Sequence, residues 1–393
     1  MSTLSVKEPV ITLTSGPAAA YPRVLQAMSK PVQYDYDPYF QEFYETVARK
    51  TAKAMRVEAP AFLMHAEPAV GIEAAAASLI ARDDVVLNLA SGVYGKGFGY
   101  WAARYCKELV EIEVPYNESI DPEAVDAMMA KRPDIKIVSL VHHDTPSGTL
   151  NPVNEIGRIV RAHDGLLLVD AVSSFGGMDV HPDDCCADVF ITGPGKCLGG
   201  PPGVTIMAIN DRAWAHIEAN EDCPTASILS LLDWKKAWSK NEAFPFTPSV
   251  SEVNGLDAVI DNYLDEGAET VWARHDLTAR TCRAGIKAMG LNLWAAREAI
   301  AAPTTTAVKV PDGFEDARIR GAARDLYGVV FSAGRNETQG KLIRIGHMGP
   351  TAEPVYAVVA VSALGGALRS LGHNADVGAG VEAAMGVIAA AHG

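Results

Sequence analysis

At 393 residues, with 48% hydrophobic and 21% charged side chains, the chain is long enough to bury one large core or two smaller ones. Its formal net charge of -14 argues against a general basic surface for nucleic acid or an anionic membrane, so an anionic small substrate has to be met by local cations. The opening MSTLSVKEPVITLTSG shows no charged start followed by an apolar stretch, and no apolar run reaches membrane-spanning length, which predicts a cytoplasmic protein.

From residue 60 to 210, short apolar runs alternate with helix-like stretches, the pattern of parallel strands joined by crossover helices. In chain order the predicted strands are 85–89, 109–114, 135–141, 166–169, 189–192 and 204–209. The predicted helices are 72–81, 97–106, 122–130 and 153–162. An open α/β sheet follows, with its ligands expected at the carboxyl ends of the strands. After Pro248 long helical stretches (250–264, 268–289) give way to strand-like runs at 304–310, 329–332 and 342–345, closed by helices near 355–371 and 377–391. The expected organisation is an N-terminal segment (1–20), a large α/β domain (21–250) and a small α+β domain (251–393). Six cysteines, at 106, 185, 186, 197, 223 and 282, show no CxxC pairing and no zinc-like spacing, so reduced thiols and no metal are expected.

Asp170 ends one predicted strand, and Lys196 lies in the Gly/Pro-rich loop after the next, so two strand ends can converge on one ligand. A carboxylate facing a pyridine nitrogen keeps it protonated and makes the ring an electron sink, while an amine can hold an aldehyde. The pair therefore suits vitamin B6 chemistry. Taken singly, Asp170 reads equally as a turn cap and Lys196 as a surface lysine.

LTSGPAAAYPRVLQAM, ASGVYGKG, HHDTPSGTLNPV, LLLVDAVSSFGG, ITGPGKCLGGPPG and KLIRIGHMG occur in this order, and with them nearly the whole chain resembles the class V aminotransferases of fold type I. The resemblance implies a mainly parallel sheet of the seven-stranded type flanked by helices, plus a smaller C-terminal α+β domain. It also implies a Schiff base on Lys196, with Asp170 at the pyridine nitrogen, Val172 on one ring face and Tyr94 on the other. Thr145 would bond the ring 3-hydroxyl and Arg344 the carboxylate of the amino or oxo acid, where a guanidinium fork matches both oxygens. Arg335 is close enough in sequence to reach the same pocket, or else it is a solvated surface arginine. Tyr94 has a core reading as well, and His142 and His143 are expected to be structural.

The chain departs from the family where the 5'-phosphate is held. In place of a Ser-Gly-rich turn it has HAEPAVGIEAA, with Glu67 at the position of the phosphate-binding serine and Pro68, which has no N–H, after it. Gly195 precedes the lysine where a polar side chain is usual, and Phe244 replaces the tyrosine of a Tyr/Thr pair of which only Thr247 remains. Two unit charges about 4 Å apart repel by roughly 4 kcal/mol at an effective dielectric near 20, and a phosphate carries nearly two. Glu67 should therefore exclude phosphate and accept a hydrogen bond from a free 5'-hydroxyl; its bland reading is a solvated glutamate at a helix start.

The expected ligand is then unphosphorylated pyridoxamine or pyridoxal, entering and leaving as a substrate with no cofactor permanently bound. By resemblance, its partners are pyruvate and L-alanine. The alternatives are a conventional class V enzyme with bound pyridoxal phosphate and a non-catalytic B6-binding protein. A homodimer or homotetramer is implied, with Phe244, Phe246 and Thr247 offered to the neighbouring subunit's pocket.

Overall fold

The computed structural model describes residues 11–236 and 244–392. Its first strand, β1 (Ile11–Leu13), stands apart from the sheet that follows. Strands β2 (Phe62–Met64), β3 (Val85–Ala90), β4 (Glu108–Glu113) and β5 (Ile135–Val141) lead to a small hairpin of β6 (His143–Asp144) and β7 (Thr149–Leu150). Then come β8 (Leu166–Asp170), β9 (Val189–Thr192) and β10 (Thr205–Ile209). The seven-stranded sheet has the order β2-β10-β9-β8-β5-β3-β4, with β10 antiparallel to both its neighbours and every other pairing parallel.

The residue types explain the layering. β3, β8 and β9 are buried along their whole length, as expected of parallel strands covered by helices on both faces. The edge strand β4 instead reads ELVEIE and keeps its glutamates at the rim, where Lys96 bonds Glu111 and Glu113 at 2.7 and 2.9 Å. The crossover helix Val153–Ala162 buries Val153, Ile156, Gly157 and Val160, one helical stripe.

A second sheet contains β11 (Thr305–Lys309), β12 (Val329–Ala333) and β13 (Leu342–Gly346) in the order β1-β12-β13-β11. Its core joins Leu13 and Phe331 to Ile286, Leu364 and Leu368 of the helices Ala268–Ala288 and Pro354–Ser370.

The structure departs from the sequence expectation in several places, of which the following bear on the site or the second sheet. Residues 11–13, expected to belong to a separate N-terminal segment, pair in parallel with Val329–Phe331 of the distant sheet. The helix expected from Ile72 starts at Pro68, because proline suits a first helical position and Glu67 caps it. The helix expected from Gly97 starts at Val93, its early glycines having masked a start that Asp144 secures from another element. The helices Pro38–Met55 and Asp316–Tyr327 had no predicted counterpart, although Asp37 before Pro38 is a cap signal. Among the described residues, no helix is long and apolar enough to cross a membrane, and no cluster of His, Cys, Asp and Glu is placed to hold a metal.

Candidate active site

Asp170 is the last residue of β8, and Lys196 follows β9, so both stand at carboxyl ends of adjacent parallel strands. The Asp170 carboxylate is buried, and its Oδ1 accepts the N–H of Val172 at 2.9 Å. Burial pushes this carboxyl up to about 7; the Val172 bond and the Lys196 charge oppose the rise, while Asp144 and Glu67 add to it. Burial likewise lowers the Lys196 amine, helped by the Arg344 charge. One group is thus an acid of intermediate strength and the other an amine readier to lose its proton. The Lys196 Nζ donates to the Ser15 carbonyl at 3.3 Å.

Glu67 is the N-cap of the helix Pro68–Leu79, and its Oε2 accepts the Ala69 N–H at 2.9 Å. The exposed carboxylate therefore sits at the helix end where an anion would otherwise bind, and Pro68 supplies no N–H beside it. Glu67 is thus a helix-entry glutamate whose charge reaches Asp170 and Lys196. Gly195 cannot be replaced by a donor without backbone movement, since a Cβ there would lie 2.8 Å from Pro202 Cα.

The segment expected to face a neighbouring subunit packs in part against its own chain. The Phe244 ring packs 4.9 Å from Tyr44 and 6.1 Å from Phe40, within its own core, because an aromatic flanked by apolar walls gains most by burying its area there. Phe246 lies 5.2 Å from the Trp234 ring, while Thr247 is exposed. The Ser249 N–H bonds His65 Nδ1 at 3.2 Å, which brings this segment alongside the turn that leads to Glu67.

Tyr94 lies in the first turn of the helix Val93–Tyr105, which Asp144 positions by accepting its N–H at 2.7 Å. Buried Asp144 also takes the Ser147 N–H and hydroxyl at 3.1 and 2.7 Å. The Tyr94 hydroxyl accepts from an Arg335 amine at 3.2 Å, and that guanidinium lies 5.7 Å from the Tyr94 ring centre. Tyr94 is thus half-buried, and Arg335 packs against it. Arg344 is also partly buried, donating from Nε to the Ala333 carbonyl at 2.8 Å. Burial lowers its guanidinium; the charges of Tyr94 and Asp144 oppose this, and Arg335 adds to it.

Buried Thr145 Oγ1 is 3.3 Å from Ser173 Oγ, and Val172 is buried beside Asp170. The carbonyl of Ser173 collects His143 Nδ1 (2.9 Å), Thr304 Oγ1 (3.1 Å) and Cys197 Sγ (3.3 Å), tying the Asp170 and Lys196 loops to the second sheet. Two acceptors cannot face each other at 2.9 Å, so His143 carries its proton on Nδ1, and burial drives its pKa down to about 3. His142 is buried beside it, and burial lowers its imidazole to about 4.

Sequence reading assigned no role to Ser15, Asp144, Ser173 or Ser332. For Asp144 a signal existed in DTPSG, an aspartate opening a turn; the others act through backbone groups or hydroxyls, which leave little trace in a sequence.

Residues 100–348 match the family described as aminotransferase class-V. The pyridoxamine–pyruvate transaminase of Mesorhizobium japonicum is 61% identical over 381 residues, covering 97% of each chain. An uncharacterized aminotransferase of Methanocaldococcus jannaschii is 35% identical, over 96% of this chain and 97% of its own. Among solved structures, pyridoxamine–pyruvate aminotransferase from Mesorhizobium loti superposes with a TM-score of 0.97 at 60% identity, over all of both chains. Ureidoglycine–glyoxylate aminotransferase from Bacillus subtilis gives 0.91 at 29% identity, over 96% and 97% of the two chains.

Proposed function

The chain belongs to the class-V aminotransferase family and has its fold-type I architecture, and from that premise we propose that it exchanges the amino group between free pyridoxamine and pyruvate, giving pyridoxal and L-alanine reversibly. Pyridoxal-type chemistry comes with the family; the finer reading is that the vitamer is unphosphorylated and released at each turnover. The observation that carries it is the Glu67 carboxylate capping the helix start where a phosphate would have to sit.

When bound, the pyridine ring supplies an electron sink for the carbon that loses its proton. Asp170 holds the ring nitrogen protonated, and a cation there stabilises the carboxylate that burial otherwise disfavours. Lys196 holds the aldehyde and, once freed, moves a proton between the substrate's α-carbon and the vitamer's C4', a role helped by its lowered basicity. Glu67 accepts the 5'-hydroxyl, Tyr94 and Val172 enclose the ring, and Thr145 meets its 3-hydroxyl. Phe246, beside the turn that carries Glu67, is assigned to the vitamer pocket. Arg344 binds the carboxylate of pyruvate or alanine, with Arg335 beside it.

A homo-oligomer working in the cytoplasm belongs to the same proposal. Tyr34, Tyr36 and Tyr39, each more than half exposed, support a covered surface there. The test offers pyridoxal and its phosphate separately to the purified protein and compares their affinities. Preferential binding of pyridoxal supports the reading, and tighter binding of the phosphate overturns it.

A further inference from the structure

Residues 14–18 form a strap across Lys196. Thr14 Oγ1 closes it onto the Pro17 carbonyl at 2.7 Å, and Ala18 N–H bonds the Gly195 carbonyl at 3.1 Å, next to the lysine. Gly16, at φ 137°, presses on the lysine so closely that a Cβ would lie 1.8 Å from Nζ. The Ser15 carbonyl is the acceptor of Nζ, and the Ser15 N–H donates to Ser332 Oγ at 3.1 Å. Ser332 is on β12, directly opposite Arg344 of β13.

We propose that Ser332 is a positioning residue, pinning the strap so that the Ser15 carbonyl holds the Lys196 amine in register with Arg344. This inference rests on the reading of Lys196 as the aldehyde-holding residue. A carbonyl acceptor favours the ammonium over the neutral amine. The charged and titratable groups facing Lys196 are Arg344, Cys197, Glu67, Asp170 and His143, and the strap adds a neutral acceptor to that set. Holding the lysine protonated opposes its bond to the aldehyde, so the strap weakens pyridoxal binding without acting on pyridoxamine, which lacks the aldehyde. Release of the product aldehyde is eased in the same way.

The test compares Ser332→Ala with Ser332→Thr, which keeps the hydroxyl, in the full-length protein. Competitive labelling of Lys196 by an amine-reactive anhydride, read by mass spectrometry across pH, reports the lysine's own titration without any vitamer. Ser332→Ala should shift it acidward by about half a pH unit or more, with Ser332→Thr close to the parent. The acid limb of pyridoxal capture, read as borohydride-trapped Lys196, should move in the same direction, with pyridoxamine affinity unchanged. An unmoved Lys196 titration in Ser332→Ala would overturn the inference, as would an equal loss of pyridoxamine and pyridoxal binding. If Ser332→Ala shifts the Lys196 titration as expected yet the parent traps no pyridoxal, the functional reading fails while the role of Ser332 stands.

Discussion

Glu67 accepts the N–H of Ala69 at 2.9 Å, so a single carboxylate both caps a helix and fills the anion position at its start. Replacement by serine keeps a good N-cap while removing the charge. Glu67→Ser should therefore hold its melting temperature within a few degrees and bind pyridoxal phosphate at least about tenfold more tightly, since roughly 1.4 kcal/mol of relieved repulsion is tenfold. Equilibrium titration with both vitamers decides it, and unchanged phosphate affinity would contradict the electrostatic account.

Asp170 is raised to about 7 by burial, and this has a definite sign for stability. Its contribution is full below the unfolded carboxyl's value of about 3.9 and is lost as pH rises through about 7. Asp170→Asn removes that loss. The ligand-free variant should gain stability relative to the parent between pH 5 and pH 8 while kcat falls at least about 100-fold, because the ring nitrogen loses its counter-charge. Melting curves at the two pH values and steady-state rates check both halves.

Arg344 and Arg335 should separate by parameter. Arg344→Gln is expected to raise KM for pyruvate and L-alanine by roughly 10- to 100-fold, the usual range for a lost charge-assisted bond, with pyridoxamine affinity little changed. Arg335→Ala should perturb both substrates, since it also removes the contact to the Tyr94 hydroxyl. Initial-rate kinetics with each substrate varied in turn would show the pattern, and equal effects on both substrates in Arg344→Gln would count against its assignment.

Asp144 touches no reacting atom, yet it accepts three described bonds while buried. Asp144→Ala leaves those donors unmatched and should cost about 2–4 kcal/mol of stability. Chemical denaturation measures this directly, and a loss below about 0.5 kcal/mol would show that water replaces the carboxylate.

The parallel sheet was legible because most of its strands are apolar runs separated by helical stretches, and the apolar run of β8 led directly to Asp170. Glu67 was legible because a charged side chain before a proline is conspicuous in a phosphate turn. The helix at Val93 was hidden because its cap comes from Asp144, on another element, and no local pattern reports that. The packing of Phe244 on Tyr44 and Phe40 was not legible, because an aromatic serves a core and an interface alike. The strap on Lys196 works through peptide groups that every residue possesses.

The hydrogen bond between Ser15 and Ser332 spans 317 residues of chain. A nascent polypeptide emerging from its amino end can build the seven-stranded sheet first, but it lacks the second wall of the lysine pocket until β12 and β13 have followed. Long-range closure of this kind is slow relative to local contacts. Premature termination before residue 332 should therefore yield an assembled sheet with Lys196 uncovered, a species recognisable by rapid proteolysis of its amino end.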